Sequence, residues 1–416
     1  MAKPKLCLIP ATQGSKLYSV LPADGVGDFN FSRNTVATRI NKDGLIETVA
    51  SGVSRLNYPL IDGVVNGCPS HLLEPERLQK IQYSEDFSNN WGLIRVTQSA
   101  NSVISPDGTL NATFLSEDSS NNSHIIIDNN TLSGTYTHSV FAKKGTRVNI
   151  GLFCDSSSNV AKFDLDNGVI LDSSVFDAEI KEYHNGWYRC VITTTQTTPV
   201  RIAILDNSAN LSYQGDGTSG LYIWGAQLEA GSYPTSYIPN YGTSAGITRS
   251  AETANGAGDA STFNDSEGVL MAEISALAND GTNRQISISN GTNAQRIYFG
   301  FSANTNEFIL SSRDSSYIQG TISDVLNFNK YAFQYKTGNF KAFINGFNYN
   351  LTLDGGLLPT GLDRLNFDDS LGNADFYGNT KQIQYFDSAL NDSDLETLTS
   401  WTSFTDMANG QTYSIK

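Results

Sequence analysis

Charge is scarce in this chain. Asp, Glu, Lys and Arg make up only 17% of its 416 residues, and 42 acidic against 27 basic groups leave a net charge of −15. A field of that sign repels phosphate backbones and anionic lipid, which excludes duplex nucleic acid as a partner. No apolar run approaches the ~20 residues of a membrane-spanning helix, so membrane insertion is not expected. The opening stretch, Met1 to Pro10, carries positive charge but not the long apolar core of a signal peptide. That fits a product released by lysis and equally a cytosolic protein.

Cysteine and histidine are just as sparse. The four cysteines, Cys7, Cys68, Cys154 and Cys190, show no C-x-x-C spacing, which argues against a zinc site. Cys154 and Cys190 fall in strand-like runs and read as small buried hydrophobes rather than a disulfide. The four histidines, His71, His124, His138 and His184, include no helical i, i+4 pair. His124 and His138 sit in strands and read as structural. There is no H-E-x-x-H or P-loop string and no G-x-S-x-G nucleophile elbow, since Gly242-Thr243-Ser244-Ala245-Gly246 falls in a small, polar linker run. The run Asp164-Leu165-Asp166-Asn167-Gly168 has the wrong spacing for a calcium loop and reads as a hairpin turn. Carboxylate pairs for glycan cleavage, such as Asp368 with Asp369 or Asp314 with Glu307, do not stand out among so many acids. The expectation is therefore no cofactor, no metal, no catalytic residue and no enzyme.

What the chain has is strands. Short runs rich in β-branched and aromatic residues recur between polar turns, and no long helical period appears. From about residue 86 to 240 they include Tyr136 to Lys143, Val148 to Phe153, Trp187 to Thr193 and Val200 to Leu205. From about 263 to 416 they include Gly268 to Ile274, Arg296 to Phe301 and Tyr331 to Tyr335. There Lys341 to Tyr349 turns at Asn345-Gly346, a pair that readily takes positive φ at both turn centres. The expected fold class is all-β: two antiparallel jelly-roll sandwiches in tandem. Leu390 to Leu398 reads as a short closing helix capped by Asn391 or Ser393.

The central run Leu221 to Glu229 reads as a strand covered on both faces. Simple alternation puts Leu221 and Ile223 on one face and Tyr222, Trp224 and Leu228 on the other. Pro234 and Pro239 then force a stiff extended connector, followed by a linker or wrapping strand over 241–262. Residues 1–85 hold few large apolar groups. They make a thin core, expected either to lean on the next domain, sister chains or a larger particle, or to dock on their own chain. Thr38 to Ile40 and Leu45 to Val49 flank a hairpin turn at Asn41 to Gly44.

Trp224-Gly225-Ala226-Gln227-Leu228-Glu229, with Pro234-Thr235-Ser236-Tyr237-Ile238-Pro239, resembles the end of a β-sandwich module common in bacteriophage virion proteins. Phe31 to Thr38, Ser54 to Tyr58, Leu72 to Pro75 and Tyr83 to Ser88 with Trp91 resemble the leader that precedes it. Residues 86–240 are similar to carbohydrate-binding modules, and 263–416 resemble the laminin-G/concanavalin-A-like lectin fold. The resemblance implies a virion protein, a head fibre or tail fibre on the capsid surface or tail. Residues 1–85 would be an extended attachment arm bound to other virion proteins. The sandwiches would bind host-surface glycan, and the chain would be a homo-oligomer, a trimer favoured. A purely structural virion part and a glycan depolymerase are the alternatives. A flat ring can stack on a pyranose while Asn or Asp reads its hydroxyls. Tyr213, Tyr317 and Tyr377, in loop-like contexts, are the candidates for that role; Trp91, Trp187 and Trp224 read as packing residues.

Overall fold

The computed structural model describes residues 3–13, 16–130, 133–154, 159–173, 176–195, 199–302, 304–313, 316–349 and 357–401. Among them the structure is nearly all antiparallel strand, with one short α-helix, Asp392–Ser400, and a 3-10 turn, His184–Gly186. Asn391 caps the helix by accepting the Asp394 amide at 2.9 Å.

The first sandwich packs two sheets face to face. One runs in the order Trp91–Ile94, Asn121–Asp128, Val200–Leu205, Asn149–Phe153, Ala161–Asp164, Val169–Asp172. The other runs Val96–Ile104, Leu110–Glu117, Gly220–Ala230, Tyr136–Lys143, Trp187–Thr194, Asp177–Tyr183. Ile126, Ile150, Phe163 and Ile202 from the first meet Val140, Leu221, Ile223 and Leu228 from the second in a dry core. Cys154 and Cys190 lie buried in it.

In the strand Gly220–Ala230, simple alternation fails for Leu228. Trp224 pairs with Phe141 and Gln227 with Ser139, so three steps on one strand face two on the other. The extra residue is a β-bulge at Gly225, whose φ of 60° suits glycine. The bulge reverses the parity. Leu221, Ile223, Ala226 and Leu228 all face the sandwich core, while Trp224 faces outward against Phe141 and Tyr237. The same shift turns Gln227 and Glu229 outward to hold the connector. Gln227 accepts the Ile238 amide at 2.7 Å, and Glu229 accepts the Thr235 amide at 2.9 Å and its hydroxyl at 2.5 Å.

The second sandwich sets a broad sheet against a five-stranded one around a single core. Its broad sheet recruits the leader. Leu6–Gln13 pairs with Gly378–Phe386, and Ser70–Leu73 pairs with the far end of that strand. Leu6, Leu8, Phe29, Phe31 and Leu73 sit in this core beside Leu270, Phe333 and Tyr385. The thin leader therefore docks on its own chain, and on the distant sandwich rather than only the next one. Its hairpin Ala37–Ile40 and Ile46–Val49 covers the outer face of the first sandwich, where Ile46 meets Phe141, Trp187 and Trp224. The returning connector runs back along the leader: Ile247–Arg249 pairs with Arg77–Gln79, and Thr253–Asn255 with Phe29–Ser32.

Candidate functional site

At two of the places where leader and connector meet, polar side chains cluster. The first is a sealed polar hub. Arg33, Arg55, Glu74, Arg249 and Glu252 are all buried. Glu252 bonds Arg33 at 2.7 Å and both Nε and Nη2 of Arg55, and it accepts the Glu74 amide at 2.9 Å. Glu74 takes Arg55 at 2.8 Å, Arg249 at 2.6 Å and the Ser236 amide at 2.7 Å. Burial works against the Glu74 carboxylate, yet Arg249 and Arg55 outweigh it and hold its pKa at about 2. His71 lies buried nearby, and its ring packs edge-on against Phe31 and Phe367. Burial, with Arg55 beside it, pushes its pKa down to about 3. This hub fastens the leader to the connector.

The second place is open. Tyr83 and Tyr241 form an antiparallel bridge, flanked by Ser84 N–H to Asn240 O at 3.0 Å and Gly242 N–H to Gln82 O at 2.9 Å. The Tyr83 ring lies against Gly242, where a Cβ would stand 3.3 Å from it, and Gly242 has a φ of 127°. Trp91 donates its indole N–H to Tyr83 O at 3.0 Å and fixes that segment. The Tyr241 side of the bridge is free: the residue is 74% exposed.

A groove of ≈ 420 Å³ opens here, lined by Tyr83, Glu85, Asp86, Asn101, Asn111 and Tyr241 among others. Glu85 is the knot of its wall. It accepts Tyr237 at 2.9 Å and Tyr241 at 3.1 Å on one oxygen, and the Asn111 amide at 3.2 Å on the other. Burial pushes the Glu85 carboxyl above the usual range, against the pull of the two tyrosine hydroxyls. The same Asn111 nitrogen bonds Asp107 at 3.2 Å. The two carboxyls thus hang on one amide, no more than two hydrogen bonds apart. For Asp86 the effect of burial is outweighed by bonds from Ser88 and Asn89, and its carboxyl sits below the usual value. An exposed ring beside amides and carboxylates can stack on a pyranose face and accept its hydroxyls.

The residues chosen from sequence lie elsewhere. Tyr213 is a correction: it is only 8% exposed, its hydroxyl bonds Glu117 at 2.7 Å, and its ring is held between Arg147 and His124. A ring so enclosed has no face for a sugar. Tyr377 is half-buried, packs on the second core and bonds Asp375 at 2.9 Å. Tyr317 lies on the strand Ser316–Thr321, with its side chain outside the described residues. Neither Tyr213 nor Tyr377 is among the residues lining the groove. Of the carboxylate pairs, Asp368 and Asp369 are tied into one loop through the amides of Ser370, Leu371 and Asn373. Glu307 is bonded by Ser302 and Asn304, and Asp314 lies outside the described residues. The groove residues were within reach of sequence. Tyr83, Glu85 and Asp86 belong to the quoted leader run, and Tyr241 follows Pro239 closely. Their contact across more than 150 residues was not.

No protein-family model matches the chain, and no curated protein matches it. Solved structures resemble it at low scores. The CBM40 of the Ruminococcus gnavus IT-sialidase is 16% identical, covers 33% of this chain and 84% of its own, and has a TM-score of 0.29, as does its complex with alpha2,3 sialyllactose. A Trypanosoma rangeli sialidase in complex with the inhibitor DANA is 12% identical, covers 95% of this chain and 83% of its own, and has a TM-score of 0.31. The expectation that this chain is not an enzyme is corrected by these neighbours: sialidases stand among them, one aligned over nearly the whole chain, and the exclusion is withdrawn. No activity is assigned in its place, because likeness at these scores carries no argument about this chain.

Proposed function

We propose that this chain is a phage virion appendage, on the capsid surface or tail, that binds host-surface glycan through the Tyr83–Tyr241 groove. One observation carries the glycan reading. The exposed Tyr241 ring is fixed by its hydroxyl to Glu85, at the mouth of a groove whose lining includes Asn and carboxylate side chains. Such a site is preorganised, so little side-chain entropy is lost when a sugar docks.

The virion reading rests on the leader and connector motifs. Residues 1–85 would attach the protein to other virion proteins through the faces the sandwiches leave uncovered, where Val36, Ile61 and Val64 stand exposed. Several copies, a trimer favoured, would turn weak single sites into avidity.

The test is a glycan array probed with full-length protein displayed many copies to a bead. Binding to some glycans, lost in Tyr241→Ala protein of unchanged melting temperature, is the expected result. A silent array would sink the glycan reading and leave a purely structural part. Labelling the protein in imaged virions tests the attachment reading, which fails if no particle carries it.

A further inference from the structure

We infer that the Tyr83–Tyr241 groove takes a pyranose bearing no anionic group, and that it discriminates against acidic sugars. The inference rests on the glycan reading above and deepens it. The residues lining the groove include two carboxylates, Glu85 and Asp86, and no lysine or arginine. A third, Asp107, stands behind the wall on the same Asn111 amide as Glu85.

The polar atoms the wall offers are mostly oxygens. The Asn111 nitrogen is already spent on two carboxylates, and the Asn111 carbonyl oxygen has no partner of its own. Asn240 is likewise consumed, since its amide bonds Ile81 O and Thr243 O at 3.0 Å each. The donors left on the lining, on Tyr83, Ser88 and Asn101, are neutral, so a ligand that brings donors of its own, as hydroxyls, amide N–H groups or an ammonium do, is favoured beside the carboxylates. A sugar carboxylate, sulfate or phosphate would bring acceptors and a like charge.

Glu85 need not be ionised for this to hold. Asp86 keeps its charge, because Ser88 and Asn89 bond its anionic form. An exposed like charge within a few ångströms is felt most at low salt and fades as the Debye length shortens. The net charge of −15 adds a field of the same sign on approach.

The experiment is the same full-length protein on a broad glycan array, read as two groups: members with a carboxylate, sulfate or phosphate, and members without. Apparent affinity for the second group should exceed that for matched acidic members at least tenfold at low salt. Asp86→Asn should narrow the gap, as should raising the salt, while Tyr241→Ala should abolish both signals. Equal or tighter binding of acidic members overturns the inference and leaves the glycan reading intact. Binding to neither group overturns the glycan reading, and the inference with it. Should Asp86→Asn misfold, the salt series on the unaltered protein decides the matter.

Discussion

The hub and the groove are made from the same two stretches of chain, the leader and the returning connector, yet they follow opposite rules. In the hub, three arginines and two glutamates are sealed from water, and nearly every polar atom answers another. In the groove, a ring is left out in solvent and the polar groups line an open space. Buried charge is tolerated only when paired, so each hub residue depends on its neighbours. Exposed groups can change with little cost to folding, and their loss is felt in binding instead. A motif run thus holds residues of both kinds: Arg55 and Glu74 fasten the fold, whereas Tyr83 and Glu85 face the groove.

The contrast is broken most forcefully at Glu252. Glu252→Gln leaves Arg33 and Arg55 buried without their shared anion and should cost roughly 3–5 kcal/mol, read as a lower urea midpoint. A change of less than about 1 kcal/mol would mean the hub is solvated. Acid acts next. His71 and His138 are both buried, with pKa values pushed down to about 3, below the ~6.5 of an unfolded chain. The folded state needs them neutral. Their contribution is intact above pH 6.5 and drains as pH falls toward 3, at roughly 2–3 kcal/mol per ring by pH 4.5. Glu74, held at about 2, adds its own loss below its ordinary 4.5. Urea titrations from pH 7 to 4 should show stability falling with a slope near two protons, and near one in His138→Leu protein.

Smaller effects sharpen the comparison. Gly225→Ala would place a Cβ 3.0 Å from Phe141 and 3.2 Å from Tyr237 at positive φ. It should cost about 1–2 kcal/mol in thermal denaturation. Tyr241→Ala should shift stability by no more than about 0.5 kcal/mol, as exposed positions do. It should take glycan binding below detection on the array, through the loss of the stacking ring. If instead it unfolds the protein while binding per folded molecule is kept, groove and hub have exchanged roles.

Much of the fold was legible. Asn345-Gly346, Asp164 to Gly168 and Asn41 to Gly44 all sit in hairpin turns, because turn chemistry is local. Trp91, Trp187 and Trp224 are buried as expected, as are Cys154 and Cys190. The face of Leu228 was misread because one bulge residue changes the parity of all that follow. Tyr213 was misread because loop context says nothing of what closes over a ring. Arg147 lies 66 residues before it and Glu117 lies 96 before it.

Alternating apolar residues and turn signals, then, determined an all-β chain of two sandwiches, since each depends on neighbours a few positions away. The tertiary structure alone decided that the leader joins the second sandwich, that Arg33, Arg55, Glu74, Arg249 and Glu252 share one buried site, and that Tyr83 meets Tyr241. Those pairings span from about twenty to several hundred residues. Local pattern carries no information about such meetings; packing does.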